Sequence, residues 1–550
     1  MKLGIDIGGT HTDGVLLNDN NEIIKSIKLT TQHQELTNTI LTGCQTLTSN
    51  LKAKELDRIV LSTTLATNVI AEQNYQPAGL LLIPGPGINP KLHNYAQHVE
   101  VVTGSIDHRG SEVQDINKKE VQKTLAKFIK IGIDRVGVCG KFSTRNPKHE
   151  LEIKNLIKKE FTEIEVISLS HQLTGRLNYP RRIATTYLNC LVQQTQTEFT
   201  TAIQDGLKEL NIKSPVYILK ADGGTMPLIK SNNLPVESIN SGPAASIMGI
   251  LALTDTYETT LGIDIGGTTT DISLFIDKEP LFKPKGIKIN KYKTSIRGLY
   301  NKSVDCGGDS LIQIKNGKLK IGPKRQGPAA AFGGNNPTPT DALVILNLTQ
   351  KGNKEAAKTS LQPLAKELNL SIPELANKII KKFCQEIKAK IDNILTELNN
   401  QPVYTINKLL DNTNIQPTKL VGIGGPAKAL TPRLASELNM DYITPDNANI
   451  ANAIGAALSR VTQECTLYAD TSQGYYNIPE LSIKESINQE FNLQIAQSLI
   501  KEKLRESTIT PQKQIEISNT ETFNLVRGFN TIGKIIKVTA QLKPGLITWR

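Results

Sequence analysis

The feature of the sequence that most constrains the fold is a ten-residue motif that occurs twice. Residues 4–13 read G-I-D-I-G-G-T-H-T-D, and residues 262–271 read G-I-D-I-G-G-T-T-T-D. Each copy is an apolar strand, a Gly-Gly turn and a threonine-rich return to apolar residues, which predicts a hairpin. The copies are too far apart for a solenoid repeat. We therefore interpret them as equivalent parts of two large, related lobes.

The two Gly-Gly turns predict a phosphate-binding site. Backbone N–H groups in such a turn can point together at one anion, because no Cβ blocks the approach. Neighbouring threonine hydroxyls would add donors. One such motif is often a plain structural turn, but two copies that differ at a single position favour a function. The candidate phosphate-binding residues are Gly8, Gly9, Thr10, Thr12, Gly266, Gly267, Thr268 and Thr269.

Four aspartates in the two motifs are the candidate catalytic residues. Asp6 and Asp264 end the first strand of each hairpin, where they could hold Mg²⁺ through its water shell. Mg²⁺ favours one or two carboxylates together with substrate phosphates. Asp13 and Asp271 close the hairpins and could polarise a nucleophile or hold a metal-bound water. The structural alternative is that these two aspartates hydrogen-bond the threonine hydroxyls of the turns.

The rest of the chain alternates strands with helices. Residues 58–61, 79–83, 135–139 and 216–220 have the pattern of strands, and residues 180–210 and 372–398 that of long amphipathic helices. This alternation predicts an α/β fold with a mostly parallel sheet in each lobe. We place the first lobe, with insertions, at residues 1–250 and the second at residues 251–464. Residues 465–550 are more polar, and we predict a small α+β unit there.

Three further segments resemble parts of the actin-like ATPases. Residues 419–427 form a strand and a glycine turn at Gly424, Gly425 and Pro426, which in those proteins cradles the adenosine. Residues 241–246 and 451–458 are rich in small side chains and resemble the two helices that connect the lobes. Together with the hairpins, these segments follow the order of the actin-like superfamily. The resemblance implies two actin-like (ribonuclease H-like) lobes with a nucleotide cleft between them.

Other motifs resemble the hydantoinase A/5-oxoprolinase family, in its short form. The resemblance implies ATP-dependent opening of a small cyclic amide, such as a hydantoin or 5-oxoproline. It also implies a hetero-oligomer with a separately folded hydantoinase B-type subunit. His11 departs from the family pattern, which usually has phenylalanine there, and 306–310 is a reduced version of a longer glycine-rich stretch. The matching stretches are 63–68, 104, 107–110, 221–226, 241–245, 337–342, 523–529 and 541–545.

Three residues outside the hairpins are candidates for substrate binding. Thr67 and Asn68 are predicted near the start of a helix that faces the cleft, and capping of that helix is the alternative role. Arg109 could grip a substrate carboxylate with both of its terminal nitrogens. A surface ion pair is the alternative for Arg109. Asp341 lies in T-P-T-D, which favours a helix cap over a catalytic role.

Composition narrows the class of protein. The six cysteines form no C-x-x-C pair, which predicts a reduced, cytoplasmic protein without a thiolate metal site. The N-terminus lacks the layout of a signal peptide, and no apolar run approaches the roughly 20 residues of a membrane span. The net charge is +12, and the basic residues are interspersed with acidic ones. This favours a solvated, lysine-rich surface and predicts neither a nucleic-acid nor a membrane partner.

Three functions remain open from the sequence. The first is an ATP-dependent subunit that phosphorylates the carbonyl oxygen of a cyclic amide before a partner subunit completes hydrolysis. The second is the ATP-binding subunit of an acetone- or acetophenone-type carboxylase. The third is an ATPase that remodels a partner protein through closure of its lobes. The fold alone does not separate them, because function depends on the site.

Overall fold

The structure is a computed structural model, and it describes all residues except 32–34, 50, 52–55, 88–94, 256–258, 284, 401–413, 489, 509–514 and 548–550. In chain order, the strands are β1 (Lys2–Ile7), β2 (His11–Leu17), β3 (Ile23–Thr30), β4 (Arg58–Thr63), β5 (Gly79–Ile83), β6 (His98–Val101), β7 (Ser105–Ile106), β8 (Glu112–Gln114), β9 (Arg135–Gly140), β10 (Val166–Leu169), β11 (Val216–Leu219), β12 (Thr225–Pro227), β13 (Thr260–Ile265), β14 (Thr270–Ile276), β15 (Glu279–Pro280), β16 (Lys288–Ile289), β17 (Tyr292–Lys293), β18 (Asn301–Val304), β19 (Ser310–Lys315), β20 (Lys318–Arg325), β21 (Lys419–Ile423), β22 (Asp441–Ile443), β23 (Glu464–Asp470), β24 (Tyr475–Ile478), β25 (Ile483–Ser486), β26 (Ile515–Arg527) and β27 (Asn530–Leu542).

The α-helices alternate with these strands through most of the chain. In chain order, they are α1 (Leu36–Thr48), α2 (Leu65–Ala71), α3 (Lys118–Lys130), α4 (Lys148–Glu160), α5 (Ser170–Leu173), α6 (Tyr179–Glu209), α7 (Ser241–Leu253), α8 (Pro339–Ile345), α9 (Lys354–Glu367), α10 (Ile372–Asn399), α11 (Ala427–Leu438), α12 (Ala451–Leu458) and α13 (Leu493–Glu506). Within the described part of the chain, no helix is both long and apolar enough to cross a membrane.

Two sheets repeat one arrangement, as the duplicated motif predicts. The first has the order β12-β11-β4-β1-β2-β3, and the second has the order β15-β14-β13-β21-β22, with β18 also paired to β14. In the first, β1 is antiparallel to β2 and parallel to β4. In the second, β13 is antiparallel to β14 and parallel to β21. The predicted hairpins are therefore the centres of two equivalent lobes.

The central strands read as continuous apolar runs because they are covered on both faces. All six residues of β1 are buried. Helix α6 packs on the first sheet through Phe199, Ile203 and Leu207. Helix α10 packs in the core of the second lobe through its predicted apolar stripe, whose fully buried members are Leu375, Ile379, Phe383, Ile387 and Ile391.

The first lobe carries an additional sheet that corrects one expectation. The sequence pattern places residues 79–83 and 135–139 with the other strands of the first lobe. The structure instead puts them in a separate, fully parallel sheet of order β10-β9-β5-β6. Helices α3 and α4 cover part of this sheet and share its core. Alternation of strands and helices predicts a parallel sheet but does not say which strands share it.

A segment of the second lobe crosses to the first. Residues 281–300 follow β15, yet Ile287, Ile289 and Ile296 are buried in the same cluster as residues of α6. The guanidinium of Arg181 donates to the carbonyl oxygen of Thr294 at 2.7 Å. The sequence boundary at residue 250 therefore separates the two sheets but not the two cores.

The C-terminal residues form an α+β unit. Its antiparallel sheet has the order β25-β24-β23-β27-β26. Helix α13 packs on this sheet through Ala496, Ile500 and Leu504, and together they form a separate apolar core. The unit is held to the additional sheet of the first lobe by Asn477, whose amide donates to the carbonyl oxygen of Thr144 at 2.8 Å.

The two small-residue helices, α7 and α12, cross with their backbones in contact. A Cβ built on Gly455 would collide with the backbone nitrogen of Gly249, and one built on Gly249 would collide with the carbonyl oxygen of Ala451. Only glycine fits at these two positions. The predicted close crossing of the connecting helices is present in the structure.

We expect Gly455→Ala to lower the free energy of unfolding by about 1–3 kcal/mol, because the added methyl group forces the helices apart. Chemical denaturation measures this. Gly242→Ala is the matched control, since Gly242 lies in α7, the other helix of the crossing, but its Cβ would meet nothing within 4 Å. Equal stability of the two variants would contradict the close crossing.

Candidate functional site

The two predicted Gly-Gly turns have the same local geometry. The amide of Gly8 donates to the carbonyl oxygen of His11 at 3.0 Å, and the amide of Gly266 donates to that of Thr269 at 3.0 Å. Gly9 is exposed, and Gly267 is partly exposed. Each lobe therefore presents one tight, accessible turn of a shape suited to hold an anion by backbone N–H groups.

The four aspartates of the motifs lie close to one another. Asp6 is directly opposite Asp13 in the first hairpin, and Asp264 is opposite Asp271 in the second. Burial raises the pKa of Asp6 to about 7, and the charges of Asp13 and Asp264 contribute. Burial and the charge of Asp264 also raise the pKa of Asp271 to about 6. The site concentrates negative charge that a cation would stabilise.

Both connecting helices hold Asp264. Its Oδ2 accepts a hydrogen bond from Ser246 of α7 at 2.6 Å and one from the amide of Asn452 of α12 at 3.1 Å. Gly424 approaches from the third side with a φ of +96°, and a Cβ there would lie 2.7 Å from Oδ1 of Asp264. Position 424, in the turn after β21, therefore has to be glycine. The candidate adenosine-binding residues Gly424, Gly425 and Pro426 thus adjoin the second hairpin.

Asp6 has an unsatisfied carboxylate oxygen. Its side chain is 5% exposed, and Oδ1 has no hydrogen-bond partner among the described residues. An orphaned, buried carboxylate oxygen beside a second carboxylate fits the coordination shell of a hydrated Mg²⁺, which contacts proteins through few carboxylates. The donor set of Asp6 and Asp264 is therefore compatible with Mg²⁺.

Asp13 and Asp271 have partners other than the threonine hydroxyls proposed as the alternative. Lys28 Nζ lies 2.7 Å from Asp13 Oδ1. The hydroxyl of Ser303 donates to Asp271. Burial raises the pKa of Asp13, although the charge of Lys28 acts in the opposite direction. Both carboxylates are thus oriented by neighbouring strands.

Thr12 does not face the cleft, which corrects its assignment as a phosphate-binding residue. It is fully buried, and its Oγ1 lies 3.0 Å from Oγ1 of Thr31. Thr270, its counterpart in the second lobe, is also buried and donates to the carbonyl oxygen of Cys306 at 2.7 Å. The strand alternation explains both, because neighbours of a cleft-facing aspartate point to the opposite face. Thr10, Thr268 and Thr269 remain partly exposed at the turns.

The segment 306–310 supports the second hairpin, which the sequence did not predict. The amide of Gly308 donates to the carbonyl oxygen of Gly266 at 2.9 Å, and that of Asp309 to the carbonyl oxygen of Gly267 at 2.7 Å. A Cβ on Gly307 would lie 2.6 Å from the backbone of Gly267. The signal available in the sequence was the pair Gly307-Gly308, because adjacent glycines are typical of close backbone approach.

Asp309 and Arg325 of the second lobe act on His11 of the first hairpin. Arg325 Nη2 lies 3.4 Å from Asp309 Oδ2, so these two residues form an ion pair. Burial lowers the pKa of His11, and the charges of both residues also act on it. The tip of the first hairpin therefore lies within electrostatic reach of the second lobe.

Thr67 and Asn68 lie in α2, near the start of that helix, and neither caps it. The residue before the helix is Thr64. Thr67 Oγ1 accepts a hydrogen bond from the backbone amide of Asn240 at 3.0 Å, and the side-chain amide of Asn68 donates to Thr64 Oγ1 at 3.3 Å. Helix α2 is therefore tied to the start of α7, next to the end of β4.

Arg109 and Asp341 are engaged within the protein. Nη2 of Arg109 lies 2.7 Å from Oδ2 of Asp470, which is fully buried, and its side chain also donates to Ser472. Arg109 therefore forms an ion pair, but with a buried carboxylate rather than at the surface, and this pair joins the first lobe to the C-terminal unit. Asp341 forms a capping box with Thr338 at the start of α8. It also accepts the amides of Ala330 and Ala331.

Comparisons with known proteins agree with this arrangement. The sequence model of the hydantoinase/oxoprolinase family matches residues 182–465, and that of the hydantoinase/oxoprolinase N-terminal region matches residues 2–161. The chain is 24% identical to the caprolactamase subunit alpha of Pseudomonas jessenii, over 88% of this chain and 74% of that protein. It is 24% identical to the acetophenone carboxylase gamma subunit of Aromatoleum aromaticum, over 63% of this chain and 53% of that protein.

The fold has a solved counterpart. The crystal structure of the ATP-dependent caprolactamase from Pseudomonas jessenii superposes with a TM-score of 0.73 and 19% sequence identity, covering 99% of this chain and 88% of that chain. The predicted two-lobed α/β fold with an additional C-terminal unit is confirmed.

Proposed function

Because the chain belongs to the hydantoinase/oxoprolinase family, we propose that it is an ATP-dependent subunit of an enzyme that opens small cyclic amides. The observation that carries this proposal is the pair of equivalent hairpins, of which the second has its Asp264 held by both α7 and α12. A phosphate site duplicated on two lobes suits a phosphoryl donor held between them. The caprolactamase relative supports a cyclic amide as the second substrate.

The residues divide into three groups under this proposal. Asp6 and Asp264 would hold Mg²⁺ through water, and Gly424, Gly425 and Pro426 would contact the adenosine. Asp13 and Asp271 would orient the reacting groups, since both are fixed by hydrogen bonds or ion pairs at the same site. The phosphates would be bound by Gly8, Gly9, Thr10, Gly266, Gly267, Thr268 and Thr269.

ATP would supply a phosphoryl group to the carbonyl oxygen of the amide, which turns a poor electrophile into one that water can attack. The chain's own part is to position that oxygen and to stabilise charge. Thr67 and Asn68 are the proposed substrate contacts, because α2 starts at the end of β4, beside the strand that carries Asp6. The hydrolytic step requires a base that we assign to a partner, a hydantoinase B-type subunit, in a cytoplasmic hetero-oligomer.

We expect Mg²⁺ with ATP to raise the melting temperature of the isolated chain. A ligand that binds only the folded state adds about 2.7 kcal/mol of stability at a hundredfold excess over Kd. The paired hairpins motivate this expectation. A thermal melt that stays unchanged in millimolar Mg²⁺ and ATP would remove the nucleotide from the proposal.

We also expect the isolated chain to show little ring-opening activity on cyclic amides. Full turnover should require its partner. The measurement is release of ADP and of the ring-opened amino acid, with and without the co-expressed B-type subunit. Full turnover by the single chain would show that it contains the hydrolytic residues itself.

A ketone carboxylase subunit is the second candidate, favoured by the similarity to the acetophenone carboxylase gamma subunit. The first phosphorylation would then act on the oxygen of a ketone enol. A substrate screen of the co-expressed complex decides between the two. ADP release that requires hydantoins, 5-oxoproline or lactams supports the cyclic amide, and release that requires simple ketones with bicarbonate supports the carboxylase.

A further inference from the structure

A polar cavity lies away from the hairpins, where three parts of the chain meet. Its volume is about 90 Å³. The first lobe contributes Lys220 and Lys230, the crossing segment 281–300 contributes Ser295, and residues around the C-terminal unit contribute Glu464 and Glu480. The cavity includes part of the segment 221–226, a family-like motif with no part in the phosphate site.

Most of the charged side chains in this cavity are paired with each other. Lys220 Nζ lies 3.5 Å from Asp222 Oδ2 and 3.1 Å from Glu237 Oε2. Arg297 Nη1 lies 3.6 Å from Glu464 Oε2. These pairs need no ligand to balance their charge.

Lys230 and Glu480 are different. Neither has an oppositely charged partner within 4.0 Å among the described residues. Lys230 Nζ donates to Gln463 Oε1 at 3.0 Å. The Glu480 carboxylate accepts the amides of Gly175 and Thr466, at 2.8 and 3.2 Å. One unpaired cation and one unpaired carboxylate therefore line the same cavity.

The titration of these two groups reflects the missing partners. Burial raises the pKa of Glu480 to about 7. Burial also lowers the pKa of Lys230. In both cases the charged form is disfavoured because no opposite charge in direct contact compensates for lost hydration. An added ammonium beside Glu480 and an added carboxylate beside Lys230 would reverse both effects.

Ser295 supplies an independent sign of a ligand. Its side chain is 6% exposed and lines the cavity. Its amide donates to Thr185 Oγ1 at 2.9 Å, but its own Oγ has no hydrogen-bond partner in the described residues. Buried hydroxyls are normally satisfied, so this one is available to a bound molecule.

We propose that this cavity binds a small zwitterion, an amino acid whose carboxylate contacts Lys230 and whose ammonium contacts Glu480. A volume of about 90 Å³ corresponds to about three water molecules, which suits a chain of two to four carbon atoms. Opening a lactam releases a molecule with these two groups, whereas opening a hydantoin leaves a ureido acid without the ammonium. The identification of the ligand with that product rests on the proposed function, whereas the zwitterion site itself rests on the cavity.

Titration calorimetry of the full chain without nucleotide tests the site. The probes are glycine, 3-aminopropanoate and 4-aminobutanoate, with propanoate and propylammonium as controls that carry one charge each. We expect one zwitterion to bind at least about 10-fold more tightly than either control, because each charge-assisted hydrogen bond contributes about 1.5–3 kcal/mol. Propanoate or propylammonium binding as tightly as every zwitterion would overturn the proposal, as would no binding by any probe at millimolar concentration.

Variants locate the binding. Lys230→Gln and Glu480→Gln should each weaken zwitterion binding at least about 10-fold, while the melting curve shows that the chain is folded. Lys213→Gln and Glu209→Gln replace the same residue types on the exposed surface and should bind as the unchanged chain does. Unchanged binding in both cavity variants would refute the assignment. If amide-dependent ADP release fails while the zwitterion still binds, the proposed function is wrong and the site remains.

Discussion

Asp264→Asn and Asp6→Asn are each expected to reduce ATP-dependent turnover by about 10²–10³-fold, the loss typical of removing one preorganised electrostatic contact. The amide keeps the shape of the side chain but removes a negative charge from the proposed metal site. At position 264 the substituted side chain keeps one oxygen, which can still accept the hydrogen bonds from Ser246 and Asn452. Turnover of each variant with its partner subunit is the measurement.

Folding should not account for this loss. Burial raises the pKa of Asp6 to about 7, so a neutral amide there costs the fold little. Asp441→Asn is the matched control, because Asp441 is exposed at the start of β22 in the second lobe. Normal turnover in both hairpin variants, with unchanged melting curves, would mean that the chemistry lies elsewhere in the chain.

Glu150→Gln should lower the free energy of unfolding by about 3–5 kcal/mol, because it breaks a buried ionic network. Glu150, His171 and Arg182 are fully buried near the ends of β9 and β10. Glu150 Oε2 lies 2.6 Å from His171 Nδ1, and Ser170 Oγ joins Glu150 to the guanidinium of Arg182. Loss of the carboxylate leaves Arg182 as a buried cation without its nearest anion.

Acid should remove the same stability from the unchanged protein. Burial opposes ionisation of Glu150, but the hydrogen bond and charge of His171 and the charge of Arg182 outweigh it and lower the pKa of Glu150 to about 2. A lowered pKa adds stability that is complete above the unfolded value near 4.5 and is lost as the pH falls towards 2. The difference between wild type and Glu150→Gln should therefore shrink across that range.

Glu152→Gln is the control for this network, since it lies in the same helix and forms only a part-exposed ion pair with Lys148 at 3.7 Å. Its effect should stay within about 0.5 kcal/mol. Urea denaturation of the wild type, Glu150→Gln and Glu152→Gln at several pH values provides the comparison. A small, pH-independent effect of Glu150→Gln would show that the network does not hold the additional sheet together.

The parts of the fold that the sequence predicted are those specified by local pattern. Each hairpin is contained in ten residues, and the connecting helices reveal their close crossing by a density of small side chains. The partners of Asp264 could not be predicted in this way. Ser246 and Asn452 reach it from separate helices, and nothing in either local sequence indicates that they converge.

The wrong assignment of Thr12 and the undecided role of Arg109 have a similar origin. The repeated motif groups Thr12 with the phosphate-binding threonines, although alternation along β2 turns it inward. The sequence left two roles open for Arg109, and the carboxylate that it contacts is that of Asp470, far along the chain in the C-terminal unit. Sequence spacing predicts chemistry within an element, whereas a long-range partner depends on how the elements pack.

The crossing segment has a consequence for how the protein unfolds. Because Ile287, Ile289 and Ile296 complete the apolar cluster around α6, a chain that stopped at residue 250 would expose that cluster to water. We therefore expect the two lobes to unfold as one cooperative unit rather than as independently folding halves. Gene fragments cut between the sheets would yield insoluble products, and recombination of lobes between relatives would have to carry residues 281–300 with the first lobe.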